Sequence, residues 1–383
     1  METYREEVQR CMRCGNCRAQ CPTWPLIGWE SGSPRGRMQL IKMLLDRRGE
    51  PNEYVMSRLY ECALCGYCLW RCPPGVKTTE AITAARAYLA ERGLVPAGAG
   101  IAVRNLKENH SIYELPAEAR TEWITYMGLD GLVPNPKTAD VVYFPGCVSS
   151  MSGRAMSIAS ASSQILSELG LNWSILGEEE WCCGNPFILS GQVTMAREVA
   201  ARNLKVLREK GVKTLVTSCP GCARTFMQEY PRLVGETGLR IMHIAELLGN
   251  ERASGRLRFT RPLELKAVYH DPCDLGRHLG VYEPPRAVLR SVPGLDLKEF
   301  SRNRPTASCC GGGGMLKATY PDLALTLAVK KLEDARSIDA DAIVSACPTC
   351  KLNISDAIAS SGSSTQMLDI TEVVAQAMGL KVD

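Results

Sequence analysis

The chain has 383 residues, 45% of them apolar and 22% charged, with a net charge of +4 and 18 cysteines. That length calls for two or three domains and that composition for a folded globular protein. Three classes are set aside: so small a charge gives nucleic-acid binding no electrostatic case, no apolar run approaches the roughly 18–20 residues of a membrane-spanning helix, and the charged residues 1–7 lack the apolar stretch of a secretory signal. A cytoplasmic location is therefore expected, and in that reducing setting the cysteines point to metal ligation rather than a disulfide framework.

Taken in order, the first signal is Cys11, Cys14, Cys17 and Cys21 followed by Pro22, a C-x2-C-x2-C-x3-C-P run. Cys62, Cys65, Cys68 and Cys72 followed by Pro73 repeat it. This is the bacterial ferredoxin spacing for [4Fe–4S] clusters, in which three close cysteines hold one cubane and the fourth crosses to the other. It assigns Cys11, Cys14, Cys17 and Cys72 to one cluster, and Cys62, Cys65, Cys68 and Cys21 to the second. A pair of zinc sites would use two C-x2-4-C halves, which is a different layout. Helical spacing at 38–45, 54–61 and 79–92 sets these runs in an all-helical domain, 1–94. Arg13, Arg18, Arg35, Arg37 and Arg71 either offset the negative clusters or form a solvated basic face.

Residues 95–138 carry Pro96, Gly98, Gly100, Pro116, Pro134 and Pro136 and show no long periodic segment, so they are expected to be a connector. From Ala139 strand and helix patterns alternate. Strands are expected at 141–144, 171–176 and 213–218, helices at 153–169 and 192–210, and residues 239–248 close the unit. A second unit answers it, with strand patterns at 267–270 and 342–346 and a close at 367–374.

Five cysteines belong to each unit: Cys147, Cys182, Cys183, Cys219 and Cys222, then Cys273, Cys309, Cys310, Cys347 and Cys350. Matched positions are offset by 126 (Cys147 to Cys273), 127 (Cys183 to Cys310), 128 (Cys222 to Cys350) and 126 (Glu246 to Glu372), which is the mark of a duplication. Domains are thus expected at 139–253 and 254–383, as two α/β units related by pseudo-two-fold symmetry. Cys147, Cys219, Cys273 and Cys347 fall at or just past the ends of strands, where ligands gather in open α/β sheets. The adjacent pairs Cys182-Cys183 and Cys309-Cys310 are poor disulfides, because that bond needs Cα atoms roughly 4.4–6.8 Å apart with aligned Cβ vectors. Three readings of each set compete. A thioredoxin-type C-P-x-C leaves three cysteines unexplained, a zinc site strands the fifth, and an iron–sulfur centre uses all five.

The pattern C-x(31–38)-C-C-G-x(33–38)-C-x-x-C, present twice and complete, resembles the CCG domain of heterodisulfide reductases. With the two-cluster domain ahead of it, the whole chain resembles the D subunit of heterodisulfide reductase. It is also similar to the iron–sulfur subunits of anaerobic glycerol-3-phosphate dehydrogenase, glycolate oxidase and lactate-utilisation complexes. The resemblance implies that each five-cysteine set holds a non-cubane [4Fe–4S] cluster and that a disulfide is reduced to two thiols between them, giving the ten cysteines a catalytic role. It implies electrons arriving through the two cubanes from a flavoprotein, a hydrogenase or a membrane cytochrome b type partner, with any membrane contact, at the inner face, made through that partner. The alternative it carries is a relay subunit of a quinone-linked flavin dehydrogenase.

Lesser features complete the reading. Gly311–Gly314 do not match a phosphate loop and are expected to let backbone approach a bulky cluster and to donate N–H groups to its sulfurs. No flavin or nicotinamide fingerprint is present. His270, Asp271 and Asp274 flank Cys273 as structural residues or proton shuttles. Arg224 and Lys351 follow their C-x-x-C pairs, either at the surface or drawing in an acidic substrate.

Overall fold

The computed structural model describes residues 1–134 and 139–382. Pro136 and the end of the expected connector lie outside them.

The first ninety residues are helical and turn structure, led by helices Pro34–Leu45, Glu53–Tyr60 and Thr78–Ala90. Each of the first two begins on a side-chain cap: Ser33 Oγ accepts from Gly36 N at 2.9 Å, and Asn52 Oδ1 from Val55 N at 3.0 Å. Their apolar faces meet in one core of Met38, Ile41, Leu44, Val55, Leu59, Ile82 and Leu89. The cysteine runs lie in the turns between and beside these helices.

Where the sequence predicted a connector without a long element, a thirteen-residue helix spans Ala97–Asn109. Gly98 misled the reading. A Cβ there would stand 1.8 Å from the carbonyl oxygen of Ala318, so this glycine lets two helical backbones touch rather than breaking a helix.

Two four-stranded parallel sheets follow. The first has the order β2-β1-β3-β4, with β1 Val141–Phe144, β2 Trp173–Ser174, β3 Thr214–Thr217 and β4 Arg240–His243. The second has the order β6-β5-β7-β8, with β5 Leu265–His270, β6 Leu295–Glu299, β7 Ala342–Ser345 and β8 Gln366–Asp369. The central strands β1, β3, β5 and β7 are nearly continuous apolar runs, as strands covered on both faces must be. The expected strand at 171–176 contracts to two residues at a sheet edge, and β6, whose residues alternate between half-buried and exposed, was not foreseen.

Register places the chemistry. Phe144 pairs with Thr217 and His270 with Ser345, so Cys147 and Cys219 leave the same end of the first sheet, and Cys273 and Cys347 the same end of the second. One apolar core runs through both sheets, joining Tyr143, Val216 and Ile165 to Tyr269, Val344 and Val373.

Candidate iron–sulfur centres

All eighteen cysteines are free thiols. The structure gathers them into four groups. Cys11, Cys14, Cys17 and Cys72 line one cavity together with Arg13 and Arg35. Cys21 lies beside Cys62 and Cys65, and Cys68 beside Cys62, Cys65 and Cys21. The fourth cysteine of each run thus lies with the close cysteines of the other run. Cys14 is the exposed member of the first group, whereas Cys65, Cys68 and Cys21 are buried.

The first five-cysteine set forms a chain of contacts from Cys147 through Cys182 and Cys183 to Cys222 and Cys219. The second runs from Cys273 through Cys309 and Cys310 to Cys350 and Cys347, with the Cys310 and Cys350 sulfurs 3.2 Å apart. The two C-x-x-C loops are built alike. Cys219 and Cys347 cap helices whose first residues are Pro220 and Pro348, and each sulfur accepts the backbone N–H of the second cysteine, at 3.5 and 3.4 Å. Further N–H groups point at sulfur: Leu64 to Cys62 and Val76 to Cys72, both 3.4 Å, Gly311 to Cys309 at 3.3 Å and Gly312 to Cys310 at 3.4 Å.

These donor sets suit iron–sulfur groups. Within each set the sulfurs compete for charge: contact with Cys182 draws the Cys183 thiol down to about 6, while Cys182 and Cys222 are pushed well above the ordinary range. Five sulfurs so close cannot all be thiolates without cations among them, and the backbone N–H groups are the donors that thiolate sulfur accepts from.

The groups also touch one another. Cys65 faces Cys309, and that contact brings its thiol down to about 6. Arg277, half-buried, clamps this junction by donating to Cys65 O at 2.6 Å and Ala307 O at 2.7 Å. His278 Nε2 lies 3.0 Å from Leu64 O, and burial pushes its imidazole down to about 4. On the far side, Cys347 stands within electrostatic range of Cys219. Asp274, next to Cys273, reaches across to the first unit and pairs with Arg224 at 2.9 Å, its other oxygen beside the Gly221 turn.

The three acidic and imidazole neighbours of Cys273 separate. Asp271 is held bidentate by buried Arg286 at 2.7 and 2.8 Å and accepts from Arg304 N at 2.8 Å, a structural brace. Asp274 joins the units. His270 faces Cys310 and Cys350. Neither Arg224 nor Lys351 is free to draw in substrate. The first is tied to Asp274 and the second is buried against Glu372 and Ser157, because a long cation buries only when paired. Among the five N-terminal arginines, Arg13 and Arg35 line the first cavity and Arg37 is buried beside Cys21. Arg18 pairs with Glu30 and Arg71 is exposed.

Sequence reasoning missed Arg86 and Arg120. Arg86 is fully buried and donates to Leu59 O, Cys62 O, Leu189 O and Gly314 O at 2.7–2.9 Å, tying the N-terminal part to both sheets' loops. Its signal was present: it falls on the apolar stripe of Ala81, Ile82, Ala85 and Leu89, where a lone arginine demands partners. Gly314, at φ +64°, meets the backbone of Ala63 so closely that a Cβ would lie 2.4 Å away. The glycine run thus does give N–H donors to sulfur, while its close approach is to the turn holding Cys62 and Cys65. Arg120 Nη2 stands 3.5 Å from Cys147 Sγ and 2.7 Å from His110 O, and Nη1 is 3.0 Å from Glu180 Oε1. Burial pushes Glu180 up to about 8. No local pattern marks Arg120, whose partners lie 10, 27 and 60 residues away.

The fold and site define an iron–sulfur protein with a dicluster segment and two cysteine-rich repeats, and the comparisons agree. Residues 7–76 match the 4Fe-4S dicluster domain family, and residues 141–227 and 267–355 each match the cysteine-rich CCG domain family. The D subunit of dihydromethanophenazine:CoB–CoM heterodisulfide reductase from Methanosarcina acetivorans is 35% identical, over 98% of this chain and 95% of that protein. The B subunit of fumarate reductase (CoM/CoB) from Methanothermobacter marburgensis is 29% identical over 97% of this chain and 73% of its own. A crystal structure of a hypothetical protein from Helicobacter pylori shares the fold with a TM-score of 0.59 at 12% identity, covering 90% of this chain and 68% of that one. The chain belongs to the family of heterodisulfide reductase D subunits. It is an iron–sulfur oxidoreductase component that carries [4Fe–4S] clusters in its dicluster domain and further iron–sulfur clusters in its CCG domains, and it works with a partner subunit. No helix among the described residues is long and apolar enough to cross a membrane.

Proposed function

We propose that this chain reduces a small disulfide to two thiols at the boundary between its two five-cysteine centres. The observation that carries the reading is the spatial order of the four groups. Cys14 is exposed, Cys68 stands within electrostatic range of Cys17, Cys65 faces Cys309, and Cys347 stands within electrostatic range of Cys219. That is a route from the surface through both N-terminal groups to the second five-cysteine set and then the first.

Cys11, Cys14, Cys17 and Cys72 would hold one cubane [4Fe–4S] cluster, and Cys62, Cys65, Cys68 and Cys21 the other. Cys147, Cys182, Cys183, Cys219 and Cys222 would hold one non-cubane [4Fe–4S] cluster, and Cys273, Cys309, Cys310, Cys347 and Cys350 its counterpart. When bound, such groups supply one-electron storage on iron at potentials set by charge and hydrogen bonding. The chain's own residues do the rest. Eight of the ten set cysteines are buried, and the two that are half-buried, Cys219 and Cys273, come one from each set. Asp274 and Arg224 pin these two loops together, so a disulfide reaching the pair meets both centres at once. The substrate R–S–S–R′ takes two electrons from the partner and two protons from solvent. Its sulfur–sulfur bond breaks, and RSH and R′SH leave.

The fold divides accordingly into an all-helical two-cluster domain over 1–94, a connector over 95–138 and α/β units over 139–253 and 254–383. The matching strand orders and the constant sequence offset support a pseudo-two-fold relation between the units. A redox partner of flavoprotein, hydrogenase or membrane cytochrome b type docks near Cys14, where Met12 (72% exposed) and Trp70 (44%) offer apolar surface. The chain sits in the cytoplasm, reaching the inner face of a membrane only through such a partner.

Iron and acid-labile sulfide per chain on anaerobically purified protein, with EPR before and after adding thiols, test the reading. About 16 irons, four for each of four clusters, and a signal that responds to thiol support it. About 8 irons, two clusters' worth, or signals indifferent to thiol and disulfide, overturn it.

A further inference from the structure

The two five-cysteine sets share every sulfur donor, yet one side chain beside them differs in kind. His270 ends β5, three residues before Cys273. The matching position in the first unit, three residues before Cys147 at the end of β1, is Phe144. Phe144 is fully buried and packs edge-on against Phe226, with ring centroids 5.1 Å apart, the ordinary behaviour of an apolar strand end.

His270 is as deeply buried, at 1% exposure, but neither Nδ1 nor Nε2 has a hydrogen-bond partner among the described residues. Burying an imidazole with both nitrogens unpaired is costly, and native proteins avoid it unless something absent from the polypeptide completes the bond. His243 and His278 each have one ring nitrogen partnered. His243 Nδ1 accepts the Ala245 N–H at 3.2 Å, and His278 Nε2 meets Leu64 O. The backbone of His270 is held in place, since Ser345 Oγ donates to its carbonyl at 3.1 Å. One ring nitrogen lies with Cys310 Sγ and Cys350 Sγ in a cluster in which all three atoms are within 4.8 Å of one another.

We propose that His270 gives the iron–sulfur group of the second centre a nitrogen contact that the first centre lacks, so that the two centres hold electrons at different potentials. This rests on the second five-cysteine set holding such a group. A neutral nitrogen adds no negative charge, and an N–H donated to sulfur, or a nitrogen bound to iron in place of one of the five thiolates, stabilises the reduced state relative to an all-thiolate surrounding. The second centre is therefore the more easily reduced on His270's account, and the position nearest Cys65 is the one so favoured. His270 acts here as a positioning and tuning residue, with no proton transfer assigned to it.

The test is pulsed EPR on the whole chain, anaerobically purified with natural-abundance histidine and with 15N-histidine, beside an iron count. A nitrogen coupling that changes with the label supports the proposal: a strong coupling marks an iron–nitrogen bond, a weak one an N–H···S contact. A fully loaded chain without any histidine coupling overturns it while leaving the disulfide-reducing reading intact. A chain lacking iron in the second set overturns both. His270→Phe, which reproduces the first unit's residue, is expected to keep the iron, lose the coupling and lower the second centre's midpoint potential. An unchanged potential in the loaded variant overturns the tuning. Should that variant fail to load, the labelled native chain still decides.

Discussion

The two cysteine-rich units begin as copies and end as different instruments. Their strands run in the same order, their C-x-x-C loops are capped in the same way, and their cysteines recur at a nearly constant offset. The surroundings diverge. The first centre has a buried cation, Arg120, at Cys147, backed by Glu180. The second has His270 inside and Arg277 at its border with Cys65, while its own buried arginine, Arg286, is occupied by Asp271 and Glu299. On the proposed assignment, duplication preserves the ten cysteines because iron–sulfur groups demand a fixed set of thiolates. It leaves the next layer free, and there charge and hydrogen bonding set potential.

The largest test of that contrast removes one cysteine from each centre in turn. Cys310→Ala is expected to abolish disulfide reduction and to keep electrons from the first centre, whereas Cys183→Ala should abolish turnover yet leave the second centre reducible. Iron counts and EPR of the reduced proteins separate the two, and equal spectra would break the proposed order.

Next in size is Arg86, which binds the loops of both units to the N-terminal helices. Arg86→Ala strands four carbonyls, those of Leu59 and Gly314 in buried bonds, and should cost on the order of 3–5 kcal/mol in denaturant unfolding. Arg86→Lys should recover only part of it, because an ammonium cannot reproduce the fork.

The matching helix caps sharpen the comparison by pH. His243 and Asp369 occupy the same position in the two units, each closing a capping box with Glu246 or Glu372. Burial pushes His243 down to about 4 and Asp369 up to about 7. The folded state therefore binds fewer protons than the unfolded one at His243 and more at Asp369. On His243's account stability falls as pH drops from 6.5 towards 4; on Asp369's account it falls as pH rises from about 4 towards 7. Over their windows His243 contributes about 3 kcal/mol and Asp369 about 4 kcal/mol at most, at about 1.36 kcal/mol per pKa unit. Asp369→Asn, which keeps a capping side chain, should remove the alkaline loss and leave a steeper acid limb in melting temperatures measured from about pH 4 to 8.

The smallest effect is expected from Arg120→Lys, which keeps the charge beside Glu180 and loses the bond to His110 O. About 1–2 kcal/mol of stability should go. The iron of both centres should be retained, and any spectral change should be confined to the first.

Much of this site was legible because its chemistry is written in cysteine spacing. The ferredoxin runs predicted that Cys21 and Cys72 would each lie with the other run, as they do, and the offset exposed the duplication. The central strands announced themselves as apolar runs ending at cysteines. Other elements were hidden for physical reasons. The helix Ala97–Asn109 carries glycines, of which Gly98 serves contact with Ala318, and β6 at a sheet edge lacks the apolar run of its neighbours. Lys351 looked like a surface cation until Glu372 was seen beside it.

The sequence by itself determined the number of cysteines, their grouping into four sets, the parallel α/β framework and the family. Those follow from local spacing and from periodicity, which a linear chain records in full. Only the tertiary structure decided the order of the four groups, the seam at Cys219, Asp274 and Cys273, and the identities of Arg86, Arg120, Arg277 and His270 as the residues that charge and bind it. Their partners lie tens to hundreds of residues away, so what makes each one matter is a contact that no local pattern encodes.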